Sequence, residues 1–200
     1  MRTKYIEAGA GLCIYRESQC SHNALSEDRN ILEFTGAILE RRGLRISYCE
    51  AHNMDMTTIR NRWDFILTMC RTQANLVKLR KLEQDFLIFN PPSSALNCLR
   101  LSMLEKLRRF DLPHPHWVMV EIDKYLPESY KNGFWIKRTD MHAVSDADVC
   151  YISCSTQFEK CRQMFSRQGL TKAIVQRHVH GDLIKCYAVP GDNFFCLSGY

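Results

Sequence analysis

Apolar and polar positions alternate in short blocks through the first ninety residues. Residues 11–15 (Gly-Leu-Cys-Ile-Tyr) form an apolar run of buried-strand length. Ser26 then offers an N-cap oxygen, and Glu27 and Asp28 suit the positive end of a helix. Ile31, Phe34 and Ile38 follow at helical spacing, Arg41 and Arg42 occupy the last turn, and Gly43 closes it. Leu44, Ile46 and Tyr48 alternate with Arg45, Ser47 and Cys49, which is strand periodicity. A third strand is predicted over 63–69 and a helix over 74–82, with Leu76, Val77 and Leu79 apolar. A fourth strand over 86–89 is stopped by Asn90-Pro91-Pro92. This strand–helix–strand order predicts a small α/β layer with a largely parallel sheet. Gly9-Ala10-Gly11 does not extend to a G-x-G-x-x-G fingerprint, so no dinucleotide site is read from it.

The second half has a different rhythm. Residues 94–109 read as one helix, capped by Ser94, with Leu96, Leu99, Met103 and Leu107 on one stripe. Two prolines in 113–115 enforce an extended chain. Strands are predicted over 117–122, 134–137 and 149–152, with a polar loop over 127–133. Thr156 and Glu159 make a capping-box signature for a helix carrying Phe158, Cys161 and Phe165 and closed by Gly169. Strands over 173–179, 183–189 and 194–197 follow, which gives this half an α+β character. There is no internal repeat and no low-complexity segment.

Composition changes this picture little. Of 200 residues, 46% are hydrophobic and 24% charged, so a chain of this length can bury a core. No run approaches the roughly 20 apolar residues of a membrane-spanning helix, and Glu7 interrupts the N-terminal segment, which argues against a secretory signal. The expectation is a soluble, cytoplasmic protein with no membrane partner. A net charge of +5 suits phosphate-bearing ligands but also an ordinary solvated surface, and no aromatic-and-basic stripe accompanies it, which disfavours nucleic acid. The ten cysteines contain no C-x-x-C, and Cys150, Cys154 and Cys161 have no histidine at zinc-finger spacing. Reduced thiols, several of them core residues, are expected.

Four segments carry candidate chemistry. Residues 134–138 (Phe-Trp-Ile-Lys-Arg) form an apolar strand ending in two cations. A lysine there is costly to desolvate unless it meets an anion such as a phosphate, or else it leaves the sheet into water. The polar loop 139–148 can place Thr139, His142 or Ser145 against phosphate oxygens, or serve only as a connection. In 173–182 an apolar strand turns polar and reaches Gly181-Asp182, where backbone groups can read an adenine edge and Asp182 a ribose hydroxyl. His178 and His180 share a face there, but no third metal ligand stands nearby. In 183–189, Lys185 lies among apolar neighbours, facing either a cleft or open solvent.

The order of these features resembles a known family. Asn90, then Asn97-Cys98 and Arg100, Pro113-x-Pro115, Trp135-Ile136-Lys137-Arg138, and Val175-Gln176 through Gly181-Asp182-Leu183-Ile184-Lys185 together resemble ATP-grasp proteins. They are most similar to a bacterial group related to glutathione synthetase and the RimK-type ligases. The resemblance spans the chain and is most specific from Asn90 to Phe195. It implies a small Rossmann-like α/β domain over 1–90 preceding an ATP-grasp nucleotide-binding region over 91–200.

It further implies that Lys137 contacts the α- and β-phosphates and that Gln176, Arg177, His178 and Val179 form the adenine-reading strand end. Asp182 would lie near the ribose, Lys185 would face the phosphates or the acceptor, and His142 would sit in a loop over the phosphates. Arg177 departs from the acidic residue usual at that position. ATP is the implied cofactor, with Mg²⁺ as its usual companion in the family, yet no late carboxylate–Asn pair is identifiable before Tyr200. The expectation is therefore an incomplete C-terminal subdomain in an apparently truncated chain. Its activity, ATP-dependent ligation of a carboxylate to an amine or thiol through an acylphosphate, would be impaired. The acceptor is an unknown small molecule or peptide. A non-catalytic nucleotide binder and a small-metabolite kinase are the alternatives. An open sheet edge after residues 194–197 predicts self-association.

Overall fold

The structure is a computed structural model that describes residues 9–21, 24–124, 133–139, 145–188 and 193–199. It opens with β1 (Ala10–Ile14), α1 (Leu25–Arg41), β2 (Arg45–Cys49), α2 (Met56–Arg62), β3 (Phe65–Thr68), α3 (Gln73–Arg80) and β4 (Leu87–Phe89). Their strands form one parallel sheet in the order β2-β1-β3-β4. Strands bridged by helical crossovers are buried on both faces, which is why β1 is buried at all five positions. One face packs Leu12, Ile14 and Ile66 against Ile59 of α2 and Leu76 and Leu79 of α3. The other packs Cys13 and Tyr15 against Leu32 of α1.

Helix α1 forms where expected but differs in its cap and its buried face. Ala24 is the N-cap and makes no side-chain cap bond, while the Ser26 hydroxyl donates to Glu27. Ile31 and Phe34 are exposed, and the helix docks through Leu32 and Gly36. A Cβ at Gly36 would collide with the Tyr48 hydroxyl, so the glycine sets how closely α1 approaches β2. Asp28 is also drawn inside, because the Arg16 guanidinium donates to it at 2.8 Å and the Ser21 hydroxyl also bonds it. Helix α2 was not expected from periodicity. Its signal is Asp55, whose carboxylate accepts from the Thr57 backbone N–H as an N-cap.

The predicted helix over 94–109 is two helices, α4 (Pro92–Asn97) and α5 (Arg100–Arg109), separated by Leu99 in an extended conformation. The reason is that each helix serves a different core. Ala95 and Leu96 pack against the parallel-sheet core. Leu101, Leu104 and Leu107 pack on Trp117 and Ile174. One straight helix could not turn both stripes correctly.

The second sheet is antiparallel, with order β5-β8-β6-β7, from β5 (Trp117–Glu121), β6 (Phe134–Arg138), β7 (Val149–Ile152) and β8 (Lys172–Arg177). Helix α6 (Ser155–Arg167) covers one face, sealing Phe134, Ile136, Ile152 and Val175 beneath Cys161 and Phe165. Cys154 is its N-cap and makes no side-chain cap bond, so the expected Thr156–Glu159 box does not form; Glu159 pairs with Arg162 instead. Finally β9 (Ile184–Ala188) and β10 (Phe195–Gly199) pair as a separate antiparallel two-stranded sheet. Among the described residues no helix is long and apolar enough to cross a membrane.

Candidate functional site

The two faces of the antiparallel sheet are unequal, and their inequality creates the site. Side chains alternate along β6, so Phe134 and Ile136 enter the α6 core while Trp135 and Lys137 point to the other face. Register places Trp135 beside Gln176 and Tyr151, Lys137 beside Ile174 and Val149, and Trp117 beside Gln176 on the far side of β8. Helix α5 covers Trp117 and Ile174 and ends its coverage there. Beyond it the face carries Lys137, Gln176, Trp135 and Tyr151.

Lys137 is the focus. Its ammonium donates to the Gln176 side-chain oxygen and meets no carboxylate among the described residues. Burial pulls its pKa below the ordinary lysine range, and the positive charge of Arg100 lowers it further. Arg100 is the first residue of α5, and its guanidinium donates to the Arg138 carbonyl at 2.9 Å, just past Lys137. Two cations therefore converge beside the N-terminal turn of a ten-residue helix, where amide N–H groups add partial positive charge. A desolvated lysine held near a second cation is stabilised by an arriving anion.

The neighbouring Arg138 has a different role. It forms an ion pair with Asp148 at 2.8 Å, and the Ser145 backbone N–H donates to the other Asp148 oxygen at 2.9 Å. Both carboxylate and guanidinium are largely buried, so the pair clamps together the two ends of the segment between β6 and β7. Ser145, a candidate phosphate ligand from its sequence position, has its hydroxyl 3.3 Å from the same carboxylate.

An aromatic group borders the lysine. The Trp135 indole N–H donates to Nδ1 of His178 at 3.1 Å, and the Tyr151 ring lies 5.2 Å from both Trp135 and His178. Gly133 belongs to this group, since with φ of 92° it takes a conformation open to glycine, and a Cβ there would collide with the Tyr151 hydroxyl. The ladder of β8 ends at Arg177, whose N–H still reaches the His116 carbonyl at 2.9 Å. From His178 the backbone leaves the sheet.

The structure pairs Lys137 with Gln176 and sets His178 against Trp135, the ring that borders the lysine. Arg177 and Val179 are exposed at the same strand end. Asp182 is exposed past Gly181, and Lys185 is exposed on β9. His142 lies outside the described residues. His178 and His180 stack edge to face at 4.5 Å, but among the described residues no group of three or more His, Cys, Asp or Glu side chains converges on a metal position. Arg100 and Trp135 were quoted in the sequence pattern without a role, because strand and helix periodicity cannot show that α5 starts beside β6.

An α/β layer followed by an antiparallel sheet bearing a lysine opposite a helix-covered face is the architecture of ATP-grasp proteins. The chain has that fold. It superposes on D-alanine–D-alanine ligase from Bacillus anthracis complexed with ATP with a TM-score of 0.62 at 14% identity over 89% of this chain. For N5-carboxyaminoimidazole synthetase from Staphylococcus aureus complexed with ADP the values are 0.64, 14% and 97%. For a RimK domain ATP-grasp protein from Sphaerobacter thermophilus they are 0.57, 13% and 88%. The chain spans 61%, 55% and 68% of those three chains respectively. By sequence, no family model and no curated protein matches.

Proposed function

We propose that this chain binds ATP on the face of the antiparallel sheet that carries Lys137 and Gln176 and acts as an ATP-dependent ligase. In this reading a carboxylate is phosphorylated and the acylphosphate is then attacked by an amine or thiol. The single observation that carries the reading is Lys137, half-buried and without a carboxylate partner among the described residues, set beside Arg100 at the start of α5. The two relatives by fold whose structures hold ATP and ADP support a nucleotide as its anion.

Lys137 and Arg100 would hold phosphate oxygens and neutralise charge that develops on them, as cationic clamps do in phosphoryl transfer. Gln176 orients the Lys137 ammonium through its side chain. The segment 176–179, where β8 ends, offers backbone groups to an adenine edge, and Asp182, exposed past Gly181, is assigned to a ribose hydroxyl. Trp135 and Tyr151 offer apolar surface beside the phosphates. The roles of Arg177, Lys185 and His142 remain those implied by the resemblance. Among the described residues no group of three or more His, Cys, Asp or Glu side chains converges to hold Mg²⁺.

Hydroxylamine trapping tests the reaction class. Incubated with ATP, Mg²⁺, a panel of carboxylic acids and hydroxylamine, the protein is expected to form a hydroxamate with one acid and release ADP in equal amount. ADP release with a stable phosphate ester as product, and no hydroxamate, would move the protein to the kinase class.

A further inference from the structure

Helix α1 has two apolar faces. One carries Leu32 and Gly36 and docks on the parallel sheet. The other carries Ile31, Phe34 and Ile38. At about 100° per residue these three side chains fall within about 60° of one another, on the side roughly opposite Leu32 and Gly36. The outward face of a helix docked in this way is ordinarily polar. Here Ile31 is 59% and Phe34 64% exposed, Ile38 is half-buried, and the flanking Asn30, Thr35 and Ala37 bring no charge.

The charges on this outer stripe stand at its two ends. Glu27 lies in the first turn and Arg41 in the last, both exposed and both within about 80° of Ile31 around the helix axis. Glu27 accepts from the neutral Ser26 hydroxyl, and neither Glu27 nor Arg41 has an ion pair among the described residues. We propose that this face of α1 is the interface of a homodimer, with a twofold axis crossing the helix at Phe34.

The spacing of the charges selects a second copy as the occupant. Phe34 stands seven residues after Glu27 and seven before Arg41, so the stripe runs from acid through apolar to base about its own centre. An antiparallel copy therefore sets Glu27 against the partner's Arg41 and Arg41 against the partner's Glu27, about 21 Å apart along the helix. Phe34 meets the partner's Phe34, and Ile31 falls against the partner's Ile38. Each contact occurs twice, which is the property of a surface that pairs with itself across a twofold axis. Antiparallel helices also set the positive end of one dipole beside the negative end of the other. A parallel copy would instead place Glu27 against the partner's Glu27 and Arg41 against the partner's Arg41.

Three apolar side chains from each copy cover less than the ~800 Å² per partner of a standard interface, so the dimer belongs to the weak, micromolar class. Its end pairs are solvated, and added salt should weaken it.

Sedimentation velocity on the full chain, from about 2 to 200 µM, tests the proposal. The average mass is expected to rise with concentration toward that of two chains. Phe34→Glu sets two carboxylates against each other on the axis and is expected to weaken association at least tenfold. Phe34 is exposed, so the variant should keep the fold, checked by an unchanged thermal melt. Glu27→Arg and Arg41→Glu, each alone, place like charges at both ends of the pair and are expected to weaken association about tenfold. Mixed in equal amounts, these two variants are expected to associate again, because every end pair in the mixed dimer then joins opposite charges. The proposal is overturned if the wild type stays monomeric throughout, or if the two charge variants do not rescue each other. It is also overturned if association survives in Phe34→Glu, which would move it to another surface such as the β10 edge. ATP is absent from these experiments, so they are independent of whether Lys137 binds a nucleotide.

Discussion

The two sheets treat a buried charge in opposite ways. In the parallel layer, Glu17 is an interior carboxylate with every need met. It accepts from the Arg71 backbone N–H at 2.9 Å, the Thr72 hydroxyl at 2.6 Å and the Asn75 amide at 2.7 Å, beside the first turn of α3. Burial alone would raise its pKa, yet those hydrogen bonds together hold it below the ordinary carboxylate range. In the antiparallel layer, Lys137 has one neutral acceptor and a cation as neighbour, and its pKa moves toward the uncharged form. A charge whose partners are built in serves the fold. A charge left without a counter-ion raises the energy of the unliganded protein and is relieved by a ligand.

That contrast predicts different consequences for mutation. Glu17→Ala strips the acceptor from several part-buried donors at once and is expected to cost about 3 kcal/mol in a urea unfolding experiment, with ATP affinity at Lys137 little changed in the fraction that folds. A loss below about 1 kcal/mol would mean that water substitutes for the carboxylate.

The pH dependence sharpens the same point. With its folded pKa depressed, Glu17 contributes stability that is fully present above the ordinary glutamate pKa and is lost as pH falls through the lower folded value. Glu17→Gln should therefore flatten the stability–pH curve in the acid range, and an unaltered slope would assign acid sensitivity elsewhere. At the other site the smallest effect is expected. Lys137→Met removes a cation that has no carboxylate partner among the described residues and should leave stability unchanged or raise it by up to about 1 kcal/mol at neutral pH, read as a small rise in Tm. A clear destabilisation would mean that Lys137 is a structural residue.

The same division explains what was legible in the sequence. The four strands of the first layer and their parallel pairing followed from short apolar runs punctuated by Gly43 and Asn90-Pro91-Pro92, signals that act locally, whereas their order in the sheet did not. Lys137 stood out for the same reason, as a cation at the end of an apolar strand. What failed depended on tertiary placement. Ile31 and Phe34 had helical spacing, but α1 docks through Leu32 and Gly36, a choice made by the approach of Tyr48 and the burial of Asp28. The break at Leu99 exists because two cores compete for one apolar stretch. Gln176 was read as backbone recognition, whereas its side chain accepts from Lys137 across the β6–β8 ladder, a pairing that needs the register. Arg100 needed the position of α5 before it could be placed beside that lysine.

The most direct test of the central claim is calorimetric titration of ATP into the wild-type chain and Lys137→Ala, repeated as pH rises. The account predicts saturable binding to the wild type, weakened at least tenfold in the variant, about 1.4 kcal/mol. It also predicts that wild-type affinity fades at a lower pH than an ordinary lysine would set, because burial and Arg100 depress Lys137. Equal binding by both proteins, or none by a folded wild type, would contradict the assignment of that face to a nucleotide.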